Sequence, residues 1–272
     1  MKITVLSDNI TTSGCLAEHG YAAMVVADGK RILFDTGAGG VIVENAQRLG
    51  VPLNRLDAIV LSHGHRDHCG GLARVLPLCR PTKIVAHPDI FSDRMQPQRN
   101  GYVSAGVSFT KGYIESLGGE FVLTRKSHRF SPNVFTTGEI RRTTDFEPVP
   151  EVFKLRRAGK IVPDPFLDDL ALCVKTRRGV AAITGCGHAG LISILRHVSR
   201  MAGGDRIAAV FGGAHLGNES QERITRTIGE LKRLDVAKVA MSHCTGIKVM
   251  CRMNCELPGR FDFVNAGDSR TL

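Results

Sequence analysis

The chain has 272 residues, 43% hydrophobic and 23% charged, a composition that supports a packed core and excludes a mainly disordered protein. No apolar run approaches the ~20 residues that cross a bilayer, and residues 1–10 meet an acid at Asp8 before any signal-like apolar core develops, so a cytoplasmic protein without membrane contact is expected. The formal net charge of +10 suits an anionic partner, but tryptophan is absent and aromatics are only 6%, so a small anionic substrate is expected rather than nucleic acid.

Short β-branched runs separated by Gly, Asp and Asn turns read as strands at 3–6, 22–26, 32–34, 58–61, 83–86 and 121–123. Asp28-Gly29 is a hairpin signal between the second and third. Residues 40–49 have helical spacing and end at Gly50. The second half repeats the style. Strands are expected at 170–175 and 180–184, joined around Arg178-Gly179, then a helix at 191–201 closed by Gly203-Gly204. A strand at 207–211, a helix at 219–234 and a strand at 238–241 follow. Strands mixed with helices in both halves predict an α/β protein with a four-layer αββα sandwich, in one domain spanning 1–272. Residues 87–165 fit least well: Pro88, Pro97, Pro132, Pro148, Pro150, Pro163 and Pro165 mark a long insertion or lid, also rich in arginine. The eight cysteines are expected to be mostly small buried hydrophobes rather than a disulfide framework.

The strongest chemical signal is Ser62-His63-Gly64-His65-Arg66-Asp67-His68-Cys69-Gly70-Gly71. It follows an apolar strand. His63 and His65 are two apart, so on extended backbone they point the same way. Asp67 and His68 fall in the turn that opens the next helix. The segment can therefore present two donor sets to neighbouring cations, and imidazole with carboxylate suits zinc, iron or manganese. A surface histidine cluster is the competing reading, and the strand-end position before Gly-Gly disfavours it.

This segment resembles the HxHxDH signature of the metallo-β-lactamase superfamily. Phe34-Asp35-Thr36-Gly37, Thr184-Gly185-Cys186-Gly187-His188 and Ser242-His243-Cys244-Thr245-Gly246 extend the resemblance over about residues 2–265. The resemblance implies one or two divalent metal ions, zinc first, with iron or manganese as alternatives. It implies His63 and His65 at one ion, and Asp67, His68 and His243 at the other. Many members carry a bridging Asp where this chain has Cys186, which makes Cys186 a candidate thiolate ligand. The usual third histidine is expected near 166–169, where only Asp168 and Asp169 stand; His188 or one of these aspartates is the candidate replacement. His215, in Phe211-Gly212-Gly213-Ala214-His215-Leu216, is expected as a substrate contact, proton shuttle or extra ligand.

The order of these strings, with Ala17-Glu18-His19-Gly20 and Thr137-Gly138-Glu139-Ile140, is similar to one subgroup of the superfamily. Its members are labelled 7,8-dihydropterin-6-methyl-4-(β-D-ribofuranosyl)aminobenzene-5′-phosphate synthase or metal-dependent hydrolase. Arginine forks suit phosphate, and Arg141 and Arg142 are the candidate phosphate contacts. Glu18, His19 and Glu139 are candidates for orienting ligands. The expected function is a metal-dependent hydrolase or group-transfer enzyme using a metal-bound hydroxide. It would act on a small anionic or phosphorylated, pterin-related substrate, with Asp67 orienting the nucleophile and His215 or His188 moving a proton. The alternatives are a di-iron redox protein, whose relatives place Glu at the position of His65 and add a flavin domain, and a non-enzymatic metal-binding member of the fold.

Overall fold

The computed structural model describes residues 1–12, 14–79, 81–99 and 101–272. Each expected strand and helix forms, with ends within two residues of the expected bounds. Seven strands make one sheet, in the spatial order Ser269–Thr271, Lys2–Ser7, Ala22–Ala27, Lys30–Phe34, Ala58–Val60, Thr82–Ala86 and Gly119–Leu123. Six make a second, in the order Phe261–Phe263, Val239–Met241, Ile207–Gly212, Gly179–Thr184, Leu172–Thr176 and Val134–Thr136.

Alternation along the strands explains the layers. Ile32, Phe34, Val60 and Val85 face Ala181, Ile183, Ala209 and Phe211 in a core between the sheets. Leu33, Ile59 and Ile84 point to the outer side, against Ile42 and Ala46 of helix Ile42–Arg48. Val180, Ala182 and Val210 meet helices Leu191–Met201 and Gln221–Arg233 on the opposite outside. In the second of these, Ile224, Ile228 and Leu231 form the buried stripe, and the Ser220 hydroxyl caps the N-terminus by accepting from the Arg223 amide. Helix–sheet–sheet–helix layering follows.

The centre of each sheet is parallel: Lys30–Phe34, Ala58–Val60 and Thr82–Ala86 in one, Gly179–Thr184, Ile207–Gly212 and Val239–Met241 in the other. Their C-terminal ends carry Asp35, His63–His68, Cys186, His188, His215 and His243. Asp35, His215 and His243 leave their strands in left-handed backbone, at φ of 57°, 48° and 51°. Non-glycine residues adopt that conformation at a cost.

Residues 87–165 are not a lid apart from the fold. Gly119–Leu123 and Val134–Thr136 join the two main sheets. The rest supplies two hairpins, Asp93–Gln98 with Gly101–Ser104 and Lys154–Arg157 with Lys160–Pro163, which form a separate four-stranded sheet. Arg94 anchors that sheet. Its buried guanidinium reaches Asp164 Oδ2 at 2.7 Å and Asp168 Oδ1 at 2.5 Å. The other Asp168 oxygen accepts the Gly64 amide at 2.8 Å, so the anchor ends inside the His-Gly-His segment. A Cβ on Gly64 would run into the Ile90 carbonyl and the Arg94 guanidinium. Helix Ile247–Glu256 was not legible in the sequence, because it starts at Gly246 without a side-chain cap and its buried stripe is only Val249, Met250 and Met253. Among the described residues, no helix is long and apolar enough to cross a membrane.

Removing Arg94 strands two buried carboxylates. Arg94→Met is expected to cost about 3–5 kcal/mol in urea unfolding, with much of the loss recovered when Asp164 and Asp168 are also changed to Asn. An Arg94→Met protein as stable as the parent would show that the four-stranded sheet is held elsewhere.

Candidate metal centre

Asp35 organises the site. Its fully buried carboxylate accepts the Ser62 amide at 2.7 Å through Oδ1. Through Oδ2 it accepts the Ser62 hydroxyl at 2.7 Å and His68 Nδ1 at 2.7 Å. The Ser62 Oγ atom is 2.9 Å from His63 Nδ1, and Asn9 Oδ1 is 2.9 Å from His243 Nδ1. One tautomer satisfies all these contacts: Nδ1 carries the proton and the Nε2 lone pairs of His63, His68 and His243 turn inward.

Inside, the donor atoms crowd. His63 Nε2 is 3.1 Å from His65 Nδ1, and His68 Nε2 is 3.1 Å from both Cys186 Sγ and His243 Nε2. Asp67 Oδ2 lies 3.7 Å from His68 Nε2 and 3.6 Å from His243 Nε2. Two main groups result, His63 with His65 and His188, and Asp67 with His68 and His243; the donor atoms of each lie within 4.8 Å of one another. Cys186 groups with His63 and His68 where the two sets meet. His188 Nε2 is buried with no hydrogen-bond partner. A buried orphan nitrogen is costly, and a cation in the first set removes that cost. The residues present therefore fit one or two divalent metal ions.

Electrostatics agree. Burial drives the imidazoles of His63, His188 and His243 well below their ordinary range, His65 down to about 3 and His215 to about 4. Neutral imidazole is the ligating form. Burial opposes ionisation of Asp67, but His68 and His243 outweigh it and hold the carboxyl well below its usual value. His68 is the exception. Burial disfavours its charge, yet Asp67 and Asp35 overcome this and push it up to about 9, so a proton serves there when no cation does. Burial, then the neighbouring Cys244 thiol, push the Cys186 thiol up.

His65, Asp67, Cys186 and His243 open onto a cavity of about 710 Å³. His215 and Phe153 line it, with ring centroids 5.2 Å apart. Phe166 stacks on His188 at 3.8 Å, and the Arg94 guanidinium lies 5.5 Å over the Phe166 ring. Arg66 and Lys248 are the cations on the cavity wall, with Asn9, Gln96 and Asn218 as its amides.

The structure thus brings together His63, His65, Asp67, His68, Cys186, His188 and His243, with His215 beside them. Asp168 and Asp169 stay outside: Asp168 is held by Arg94, and Asp169 accepts the Ala189 amide at 2.8 Å. Arg141 and Arg142, the expected phosphate contacts, do not line the cavity. Arg142 reaches the carbonyls of Pro165 and His188 at 3.0 and 3.1 Å, so its fork steadies the His188 turn, and Arg141 is exposed. Glu18 ties the amides of Ala38, Gly39 and Gly40 rather than a ligand. Glu139 pairs with His87 and Arg125. His19 does reach Asp67, at 3.3 Å. Asn9, Phe153 and Lys248 were missed; they stand singly in loops and at a helix start, and only the fold gathers them.

Two back-to-back sheets with paired histidine-rich donor sets on their shared rim define a metal-site protein of the lactamase type. A family model described as the metallo-beta-lactamase superfamily matches residues 17–243, and the chain belongs to that superfamily. A Methanocaldococcus jannaschii protein named 7,8-dihydropterin-6-methyl-4-(beta-D-ribofuranosyl)-aminobenzene-5′-phosphate synthase is 34% identical over 98% of this chain and 95% of its own length. An uncharacterized protein of the same organism is 30% identical over 93% of each chain. A crystal structure described as a metal-dependent hydrolase of the beta-lactamase superfamily superposes with a TM-score of 0.85 at 29% identity, covering 100% of this chain and 99% of that one.

Asp35→Asn keeps the shape but loses the charge that fixes His68 and, through Ser62, His63. Metal affinity is expected to fall about 10- to 100-fold, read by competition with a chromophoric chelator; unchanged affinity would refute the role given to Asp35. A second expectation concerns the metal-free protein. Its five depressed imidazoles stay uncharged when folded, whereas unfolding lets them take up protons below their ordinary value of 6.5. Asp8 and Asp169, both raised to about 7 by burial, and Asp168, also raised by burial, act oppositely because the folded state retains their protons. The histidines outnumber them, so chelator-treated protein should lose stability as pH falls from about 6.5 to about 4. A flat or rising urea-unfolding profile over that range would contradict it.

Proposed function

We propose that this chain is a metal-dependent enzyme that carries out hydrolysis or group transfer on a small phosphorylated substrate of pterin type. The observation that carries the reading is the convergence of two donor sets beneath one open cavity. The pterin and ribose-phosphate assignment is supported by the name of the Methanocaldococcus jannaschii relative, which matches this chain nearly end to end. The cavity has walls to suit such a molecule. Phe153 and His215 offer aromatic faces, Gln96 and Asn218 offer paired donors and acceptors, and Lys248 and Arg66 offer positive charge to phosphate.

His63, His65 and His188 would hold one divalent ion, zinc first, and Asp67, His68 and His243 a second, with Cys186 where they meet. A divalent ion so bound supplies Lewis-acid polarisation of a carbonyl or phosphoryl oxygen. The chain does the rest. Asp67 presents its carboxylate to the cavity and orients the attacking group. His215 is neutral and stands at the cavity wall, so it can accept or donate a proton at the leaving atom. Phe153 covers His65 and His188, at centroid distances of 5.9 and 5.2 Å, and keeps bulk water from that side. Eight cysteines without a disulfide suit a reducing cytoplasm.

A panel of phosphomonoesters, phosphodiesters, lactones, thioesters and pterin phosphates on metal-replete protein tests the reading. His68→Ala is expected to lower the rate by about a thousandfold or more while leaving the circular dichroism spectrum unchanged; full activity in that folded variant would sink the mechanism. His215→Ala should retain its metal and lose about 10²- to 10⁴-fold in kcat. Loss of metal instead would make His215 a ligand.

A further inference from the structure

Cys244 follows His243 in the short turn His243–Thr245 and is half-buried on the cavity wall. The proposed function assigns it nothing. Yet Cys186, His243 and Cys244 form a third compact group, their donor atoms within 4.8 Å of one another. The His215 amide donates to Cys244 Sγ at 3.3 Å. The chain also makes room for this sulfur: a Cβ on Gly213 would lie 2.6 Å from Cys244 Sγ and 3.3 Å from Cys186 Cα. Cys244 Sγ is also 3.5 Å from the Cys186 carbonyl. Of the other buried thiols, Cys69 donates to the His63 carbonyl and Cys173 packs in the outer core, and neither lines the cavity.

We propose that Cys244 is a second sulfur ligand, which with Cys186 and His243 makes one of the two metal positions a sulfur-rich one that selects zinc-like, thiophilic cations over manganese or magnesium. The inference rests on the reading that this centre holds metal. Its chemical basis is donor softness. The set Asp67, His68 and His243 is built from nitrogen and oxygen and accepts manganese or iron as readily as zinc, whereas a position that joins the sulfurs of Cys186 and Cys244 to the His243 imidazole does not. Substrate meets this sulfur directly, because Cys186 and Cys244 both line the cavity.

Cobalt reconstitution of the chelator-treated full chain under reducing conditions tests it. Sulfur bound to cobalt gives an intense near-ultraviolet charge-transfer band, which nitrogen and oxygen ligands do not. The unaltered protein should show the band, and Cys244→Ser and Cys186→Ser should each lose about half of it. Zinc should displace bound manganese from the unaltered protein, and its preference over manganese should fall about tenfold or more in Cys244→Ser. Cys244→Ala serves as the second variant, and cadmium-113 resonance of the unaltered protein counts sulfur ligands without any substitution. A chain that loads cobalt and keeps the full band in both Cys244 variants, or a cadmium resonance showing at most one sulfur, overturns this inference alone. A chain that takes up neither ion overturns it together with the metal reading.

Discussion

One buried carboxylate sets the geometry of everything else. The Asp35 carboxylate is met by the Ser62 amide, the Ser62 hydroxyl and His68 Nδ1. An ionised group placed out of water is tolerable only when its lone pairs are filled in this way. The arrangement works in both directions. Hydrogen bonds hold the carboxylate in place, and the carboxylate fixes the tautomer of His68 and, through Ser62, that of His63. Asn9 does the same for His243 with a neutral amide. The inward lone pairs follow from hydrogen bonds on the Nδ1 side of each ring, so the donor set is built before any cation arrives. That preorganisation has a cost, visible as left-handed backbone at Asp35 and His243.

The second dependency runs through the four-stranded sheet. Arg94 joins Asp164 and Asp168, Asp168 holds Gly64, and Phe166 lies between the guanidinium and the His188 ring. A segment far from the HxHxDH motif therefore positions both the His-Gly-His backbone and the plane of His188. It also delivers Phe153 to the cavity. The cavity's aromatic wall and the first donor set are thus mechanically one unit.

Much of this was legible in the sequence, and the reasons for the rest are physical. Strand and helix periodicity located the two sheets because their faces alternate cleanly, as Leu33 against Ile32 and Phe34 shows. The donors were legible where chemistry is concentrated locally, from His63 to His68. His188 and Cys186 were found through their spacing within one turn. Charge was less legible: Arg142, expected as a phosphate contact, faces backbone carbonyls, and neither it nor Arg141 lines the cavity. A cation's sequence neighbourhood says little about where its long side chain ends. The cavity cations come from Arg66 and Lys248 instead, each isolated in sequence from any basic cluster.

The placement of donors on two sheets also bears on how the site forms. His63, His65, Asp67 and His68 descend from the seven-stranded sheet, and Cys186, His188 and His243 from the six-stranded one. Neither half contains either main set: the seven-stranded half lacks His188 for one and His243 for the other, and Cys186 groups with His63 and His68 across the sheet–sheet interface. Docking of Phe34 and Val60 against Ile183 and Phe211 is therefore a precondition for ligation. Binding energy gained by a cation is then gained by the sheet–sheet interface as well. The interior that presents the donors and the interior that stabilises the fold are held by the same strands, which is why the donors can stay buried and crowded without collapsing onto one another.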